Sequence, residues 1–444
     1  MTVKVGLISL GCAKNLVDSE VMLGILDKAN YKITGEEHQA EVLIVNTCGF
    51  IETAKQESIN TILALAVHKT TGKCKVLILA GCLAQKYRDE LALELPEVDA
   101  IVGTGEVEKI AEIVEAALGG DRVIRVDTPK YLYDHTSPRI RSTPGYSAYV
   151  KVADGCDNRC SYCVIPELRG SFRSRPMESI VTEVSSLVEQ GVKEVMLIAQ
   201  DTTRYGIDLY AEYKLADLLE RLSEIKNLHW IRLLYCYPTH FTEQLINTMA
   251  QNPKVCKYLD IPLQHCDDDI LVAMNRKGKR KDILDLLSGI RTAMPDIVLR
   301  TSFIVGLPGE TEQKFQELLE FITQVKFDRV GIFTYSREAG TPAADMENQV
   351  SDEIKQTRYH RAMEMLMQLS WEKNQTKVGK TLEVLVEGRE EQGHWFGRSQ
   401  GDAPDIDGKI YFDGGNPEAG SFVNVLIAEA YEYDLMGEVI NEPC

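Results

Sequence analysis

The 444-residue sequence lacks any apolar run near the ~18 residues that a membrane-spanning helix requires. Its clearest run, Val76 to Ala80 in "KVLILAGC", is only strand-length, so no transmembrane helix is expected. It also lacks an excess of positive charge: 49 Lys and Arg face 67 Asp and Glu, a formal charge of -18. That balance disfavours affinity built on phosphate contacts and suits a basic partner. A disulfide framework is missing too, since the 11 cysteines are odd in number and scattered. Reduced thiols holding a metal or cluster fit better. The start, "MTVKVGLISLGC", carries one Lys and one short apolar run before Gly-Cys, so a cleaved secretory signal is not expected and the expected location is the cytoplasm. No internal repeat or low-complexity tract stands out. What is present, 44% hydrophobic and 26% charged residues, is the composition of a globular protein, and the length suggests roughly three domains.

Two changes of pattern divide the chain into 1–126, a linker over 127–145, 146–375 and 376–444. The linker, "DTPKYLYDHTSPRIRSTPG", has three prolines and little apolar periodicity. Before it, strand-like runs alternate with helical patterns, which predicts a parallel α/β sheet. The runs "VGLISLGC", "EVLIVNTC" and "KVLILAGC" each end in a cysteine, at Cys12, Cys48 and Cys82. Parallel strands share one carboxyl edge, so these residues are expected to meet in a three-cysteine site. After the linker, strand-like runs recur at Ala148–Val152, Val195–Ala199, Trp230–Leu234, Leu259–Ile261, Val298–Val305 and Arg329–Phe333. Six strand-helix units predict a partial (β/α) barrel of the TIM type, with its active mouth at the strands' carboxyl ends. A helix is expected from Asp352 to Thr376, capped by Ser351, with Ile354, Ala362, Met365, Leu366 and Leu369 on one face. The last segment has short alternating runs such as "LEVLVEG" and "KIYFDG" broken by Gly and Asp, and predicts a small antiparallel, OB-like β-barrel.

In "DGCDNRCSYCVIP", Cys156, Cys160 and Cys163 stand at a C-x3-C-x2-C spacing with no fourth ligand nearby. Structural zinc normally closes a tetrahedron of four ligands. A 4Fe-4S cubane held by three cysteines keeps one iron open. Three unrelated loop thiols remain the plain alternative, and a closed electron carrier would use four cysteines.

With Tyr162 before its last cysteine, the motif resembles that of radical S-adenosylmethionine enzymes. The resemblance implies that the open iron binds S-adenosylmethionine and that one electron, from a low-potential donor, cleaves it to a 5'-deoxyadenosyl radical. Such chemistry breaks C-H bonds too weakly acidic for a general base. "LGCAKNLVDSE", "NTCGFIETAKQES", "AGCLAQKY", "FIVGLPGET" and "FTYSREAGTPAA" resemble the methylthiotransferases of that superfamily, and the last segment resembles their TRAM domain. This implies a second 4Fe-4S cluster on Cys12, Cys48 and Cys82, supplying sulfur for a methylthio group. Without the resemblance, three buried cysteines after strands read equally well.

Other residues keep two readings. Gln200 and Asp201 in "IAQDTTRYG" could meet the adenosyl group or the substrate, or only bond within their loop. Gly306 and Gly309 could admit a nucleoside or serve a turn. "NRKGKRK", Asn275–Lys281, reads better as a solvated loop than as an RNA contact. His265 could donate a proton or pack. Cys74, Cys236, Cys256, Cys266 and Cys444 lack ligand spacing. Between the branches, "GCAKNLVDSE", "ADGCDNRCSYCVIPELRG" and "YLDIPLQH" resemble the enzymes that modify an aspartate of a small-subunit ribosomal protein, rather than those acting on a transfer RNA adenosine. Residues 376–444 carry 5 Lys and Arg against 14 Asp and Glu, a charge of -9. That sign favours a basic protein partner over direct nucleic-acid binding, with Asp402, Asp405, Asp407 and Asp413 expected to dock it.

Overall fold

Alternating apolar runs and helical segments build an N-terminal sheet of six parallel strands in the computed structural model, which describes residues 2–391 and 393–440. These are β1 (Lys4–Ser9), β2 (Lys32–Ile33), β3 (Val42–Thr47), β4 (Val76–Gly81), β5 (Ala100–Val102) and β6 (Val123–Arg125), in the order β2-β1-β3-β4-β5-β6. Every residue of β3 and β4 is buried, as expected for central strands covered on both faces. Helix Ala13–Lys28 follows β1 and passes beside the next domain, and Asp18 and Glu20 on it are buried. Residues 127–145 contain neither helix nor strand. They are nonetheless packed: Tyr133 is buried, and Arg139 pairs with Glu20 at 2.9 Å and with Glu183 at 2.7 Å.

The central sheet holds β7 (Ser147–Lys151), β10 (Glu194–Ile198), β11 (Trp230–Leu233), β12 (Val255–Asp260), β13 (Val298–Val305) and β14 (Arg329–Thr334), all parallel, in the order β14-β13-β12-β11-β10-β7. A small antiparallel pair, β8 (Ala153–Asp154) and β9 (Arg173–Ser174), brackets the C-x3-C-x2-C loop. The sheet stays open, with β7 and β14 at its edges, so the six strands expected of a partial barrel are what form. Strand β12 starts earlier than Leu259, because Cys256 and Tyr258 are buried on either side of the polar Lys257 that masks the pattern. Helix Asp352–Gln375 is capped by the Ser351 hydroxyl, which accepts from the Ile354 N–H. Ala362 and Leu366 face the core, while Ile354 is 45% exposed because Arg358, bonded to Glu310, anchors this end.

The C-terminal strands β15 (Thr381–Arg389), β16 (Trp395–Ser399), β17 (Ile410–Asp413), β18 (Phe422–Ala430) and β19 (Leu435–Val439) close a barrel in the order β15-β16-β17-β19-β18. Four of its five pairings are antiparallel and β17 with β19 is parallel. Its 398–407 stretch seats on the central domain. Arg398 binds Glu194 (2.7 Å), Asp402 binds Arg329 (2.8 Å), and Asp407 accepts from Tyr258 (2.7 Å). Asp402 and Asp407 therefore hold domains together and are not free to dock a partner, whereas Asp405 and Asp413 are exposed. Among the described residues no helix is long and apolar enough to cross a membrane. Cys444 lies outside the described residues.

Candidate active site

The N-terminal cysteines leave adjacent strands at nearly one level. Ser9, Asn46 and Ala80 are in register across β1, β3 and β4, and Cys12, Cys48 and Cys82 follow within three residues. Two asparagines lock the loops. Asn15 Nδ2 donates to the Leu10 (2.8 Å) and Thr47 (3.1 Å) carbonyls, and Asn46 Nδ2 to the Asn15 carbonyl (2.9 Å) and the Ser19 hydroxyl (2.8 Å). Two glycines at positive φ permit the approach. A Cβ on Gly11 (φ +87) would lie 3.0 Å from Cys48 Sγ, and one on Gly81 (φ +94) would lie 2.3 Å from Asn46 Oδ1. Burial pushes the Cys48 thiol up to about 12, and Cys82 and Cys12 add to the effect. Burial also raises Cys82, against the pull of Arg169. Cys12, exposed at the surface, is the exception. Crowding disfavours its charge, but Lys14, Arg169 and backbone N–H groups outweigh that and bring it down.

The second trio sits on the loop after β8, at the carboxyl end of the central sheet. Two distant segments pin that loop: the Ser161 hydroxyl donates to the Ala273 carbonyl (2.7 Å) and its N–H to the adjacent Met274 carbonyl (2.9 Å), and its carbonyl accepts from Ala343 (2.8 Å). Arg276 Nη1 lies 3.9 Å from Cys160 Sγ and 3.4 Å from the Tyr162 hydroxyl. Burial pushes Cys156 up to about 11 and raises Cys163 further, and neighbouring thiols add to both. Among the described residues no three His, Cys, Asp or Glu side chains are placed to grip one metal ion. Three neighbouring thiols at each site are a soft donor set of the kind that holds iron–sulfur groups.

A buried charge network joins the two sites. Arg169 reaches Asp18 on the N-terminal helix and Asp154 beside the loop (3.4 Å), and donates to Asn15 (2.8 Å). Lys151 also contacts both carboxylates. Lys14, 7% exposed, places its ammonium 3.1 Å from the centre of the Tyr235 ring, at the carboxyl end of β11. Gln200 donates to Asp154 (2.9 Å), while its Oε1 is buried without a partner. That orphan acceptor fits a cosubstrate bringing an N–H or O–H to the cysteine loop. Asp201 is engaged locally, by Asn158 (2.9 Å), His240 (2.9 Å) and Thr203 (2.8 Å).

Gly306 donates to Glu310 and packs under Lys355, where a Cβ would come within 2.3 Å of its chain, whereas Gly309 faces open space. His265 is fully buried, with Nδ1 accepting from the Asp267 N–H (3.0 Å) and Nε2, without a hydrogen bond, 3.7 Å from the Glu310 carboxylate. Cys74, Cys236, Cys256 and Cys266 are buried. The segment "NRKGKRK" is not uniformly solvated, since Arg276 is buried against the cysteine loop. Arg169, Arg276 and Lys14 are the residues that the motif reading passed over; each lies in or beside a quoted motif, and that proximity was the only signal.

Comparison with known proteins matches residues 4–103 to the uncharacterized protein family UPF0004, 150–322 to the radical SAM superfamily and 378–440 to the TRAM domain. The ribosomal protein uS12 methylthiotransferase RimO of Desulforamulus reducens is 58% identical over 98% of this chain and 99% of its own. That of Heliobacterium modesticaldum is 56% identical over 100% and 96%. Among solved structures, the radical S-adenosylmethionine methyltransferase TsrM of Kitasatospora setae, with cobalamin and a 4Fe-4S cluster bound, superposes with a TM-score of 0.57 at 16% identity, covering 77% of each chain. The cobalamin-dependent S-adenosylmethionine radical enzyme OxsB gives 0.51 at 11% identity over 82% of this chain and 56% of its own. At these identities the likeness is one of fold.

Proposed function

This chain belongs to the family of ribosomal protein uS12 methylthiotransferases, RimO, and we propose that it inserts a methylthio group at the β-carbon of an aspartate in uS12. In this reading residues 1–126 hold the sulfur-supplying cluster, 146–375 the radical chemistry and 376–444 the recognition barrel, with 127–145 joining the first two. The observation that carries it is the Asp18–Arg169–Asp154 network, which ties the two cysteine trios to one shared space.

When bound, two 4Fe-4S clusters and S-adenosylmethionine supply one-electron cleavage and sulfur transfer. The chain's own work is to hold and exclude. Cys156, Cys160 and Cys163 hold three irons of one cluster, and Cys12, Cys48 and Cys82 three of the other, so each keeps an open iron. Arg276 contacts Cys160 and Tyr162 and so fixes the cysteine loop. Gln200 borders the cosubstrate, while Gly306, packed under Lys355, serves the turn, and the N-terminal helix shields the mouth from water. The partners are uS12, free or on the ribosome, and a low-potential electron donor in the cytoplasm.

The alternative substrate, a transfer RNA adenosine, is disfavoured by the barrel's charge of -9 across 376–444. Anaerobically loaded parent, the Cys156/Cys160/Cys163→Ala variant and the Cys12/Cys48/Cys82→Ala variant discriminate the roles. The first variant is expected to drop from about eight irons to about four and make no 5'-deoxyadenosine. The second should still make it without modifying uS12. Parent that methylthiolates transfer RNA and ignores uS12 would overturn the substrate and leave the radical chemistry standing.

A further inference from the structure

Lys14 is a buried cation in an unfavourable place. It lies in the first turn of helix Ala13–Lys28, where the helix dipole favours anions and opposes positive charge. No acidic residue occupies that turn, and Cys12 at the N-cap makes no side-chain capping bond. Among the described residues Lys14 makes no ion pair and no side-chain hydrogen bond. Its contact is the Tyr235 ring, 3.1 Å away. The nearby carboxylates are claimed by other groups: Asp18 by Lys151 and Arg169, Asp154 by both and by Gln200, and Asp260 by Arg300. Of the three cations here, Lys14, Lys151 and Arg169, Lys14 is thus the one that reaches neither carboxylate, and its charge bears instead on the Cys12 thiol two residues away.

Tyr235 is held to this task. Its backbone is left-handed (φ +61), a region costly for a bulky residue. The conformation is fixed from both sides, since its N–H donates to Asp260 (3.1 Å) and its carbonyl accepts from Thr202 (2.9 Å). An ammonium held over a ring and bonded to no carboxylate keeps its donors for one, and gains a charge-assisted bond when a carboxylate arrives. Lys14 is two residues from Cys12, and Tyr235 lies at the barrel mouth near Gln200.

We propose that Lys14, set by Tyr235, receives the carboxylate of the substrate aspartate and so presents its β-carbon between the two cysteine trios. The inference rests on the uS12 reading and adds a residue that selects aspartate over its amide. Asparagine would turn an N–H toward the ammonium, or offer it a neutral oxygen, and lose the charge-assisted bond.

The test compares loaded parent, Lys14→Met and Lys14→Arg with uS12 carrying aspartate or asparagine at the modified position. Dissociation constants come from calorimetry, and modification from mass spectrometry. Parent should bind the aspartate form on the order of 10- to 100-fold more tightly than the asparagine form. Lys14→Met should bring the two forms together by weakening the first, and Lys14→Arg should keep most of the preference. Equal binding of both forms by the parent overturns the inference without any variant. So does Lys14→Met with the parent's ratio, even if its cluster potential or iron content changes, because Lys14 would then serve the cluster. Parent that fails to modify either form sinks the uS12 reading itself, and the inference with it.

Discussion

The thiols of the N-terminal trio differ although all three follow similar strands. Cys12 is exposed, with its ionisation favoured on balance, while Cys48 is held up at about 12. The thiolate is the reactive form, and one unit of pKa is tenfold in its population below the pKa. In iron-free protein at pH 7.5, iodoacetamide should therefore label Cys12 faster than Cys48 or Cys82. Peptide mass mapping over time measures this, and equal rates would contradict the electrostatics described. The six cysteines were legible in the sequence because spacing and strand ends encode them locally. Arg169 and Arg276 were not, since a buried cation is defined by partners that tertiary packing brings. Arg169 meets Asp18 across 151 residues and Arg276 meets Cys160 across 116. Asp402 and Asp407 show the converse failure: their charge was visible, but their burial against Arg329 and Tyr258 was not.

Strand ends and the turns after them control the geometry of both trios. Gly81 closes β4 at φ +94, and any side chain there would collide with Asn46 Oδ1 at 2.3 Å and the Thr47 carbonyl at 2.7 Å. Gly81→Ala is expected to cost ~1–3 kcal/mol and to lower bound iron by about half, with the radical-domain cluster retained. Thermal unfolding and iron analysis check the two effects separately, and a variant with full iron would show that Asn46 can yield. Strands and the long C-terminal helix were readable from periodicity. The start of β12 was obscured by Lys257, and the β17–β19 pairing is parallel, a register that no local pattern announces.

The C-terminal barrel is fastened to the central domain by buried ions, which makes the assembly sensitive to acid. Burial alone would raise Glu194, but Arg398 and Arg232 outweigh it and hold the group at about 2, below the usual 4.5. A carboxylate depressed on folding contributes stability that is complete above its unfolded value and is lost as pH falls through the folded one. Glu194→Gln leaves two buried guanidinium groups underpaired and should cost about 3–5 kcal/mol at pH 7. The difference between parent and variant should shrink from pH 4.5 toward 2, and denaturant unfolding across that range measures it. A constant difference would contradict the assignment. The barrel's exposed acids, Asp413 among them beside His394, make a separate expectation. Lys at both Asp405 and Asp413 should weaken uS12 binding and reduce its salt dependence, whereas Lys at Asp402 should destabilise the protein itself. Binding at two salt concentrations, with a melting curve for each variant, separates them.

The anchoring of Ser161 also sets a timetable for synthesis. The backbone locks around Cys12, Cys48 and Cys82 are drawn from Leu10 to Gly81, although the Arg169 side chain joins that pocket from much later in the chain. The loop bearing Cys156, Cys160 and Cys163 is tied to Ala273, Met274 and Ala343. Those tethers are made later than the backbone locks of the N-terminal trio, so the chain completes the backbone frames of the two trios in order, the N-terminal one first.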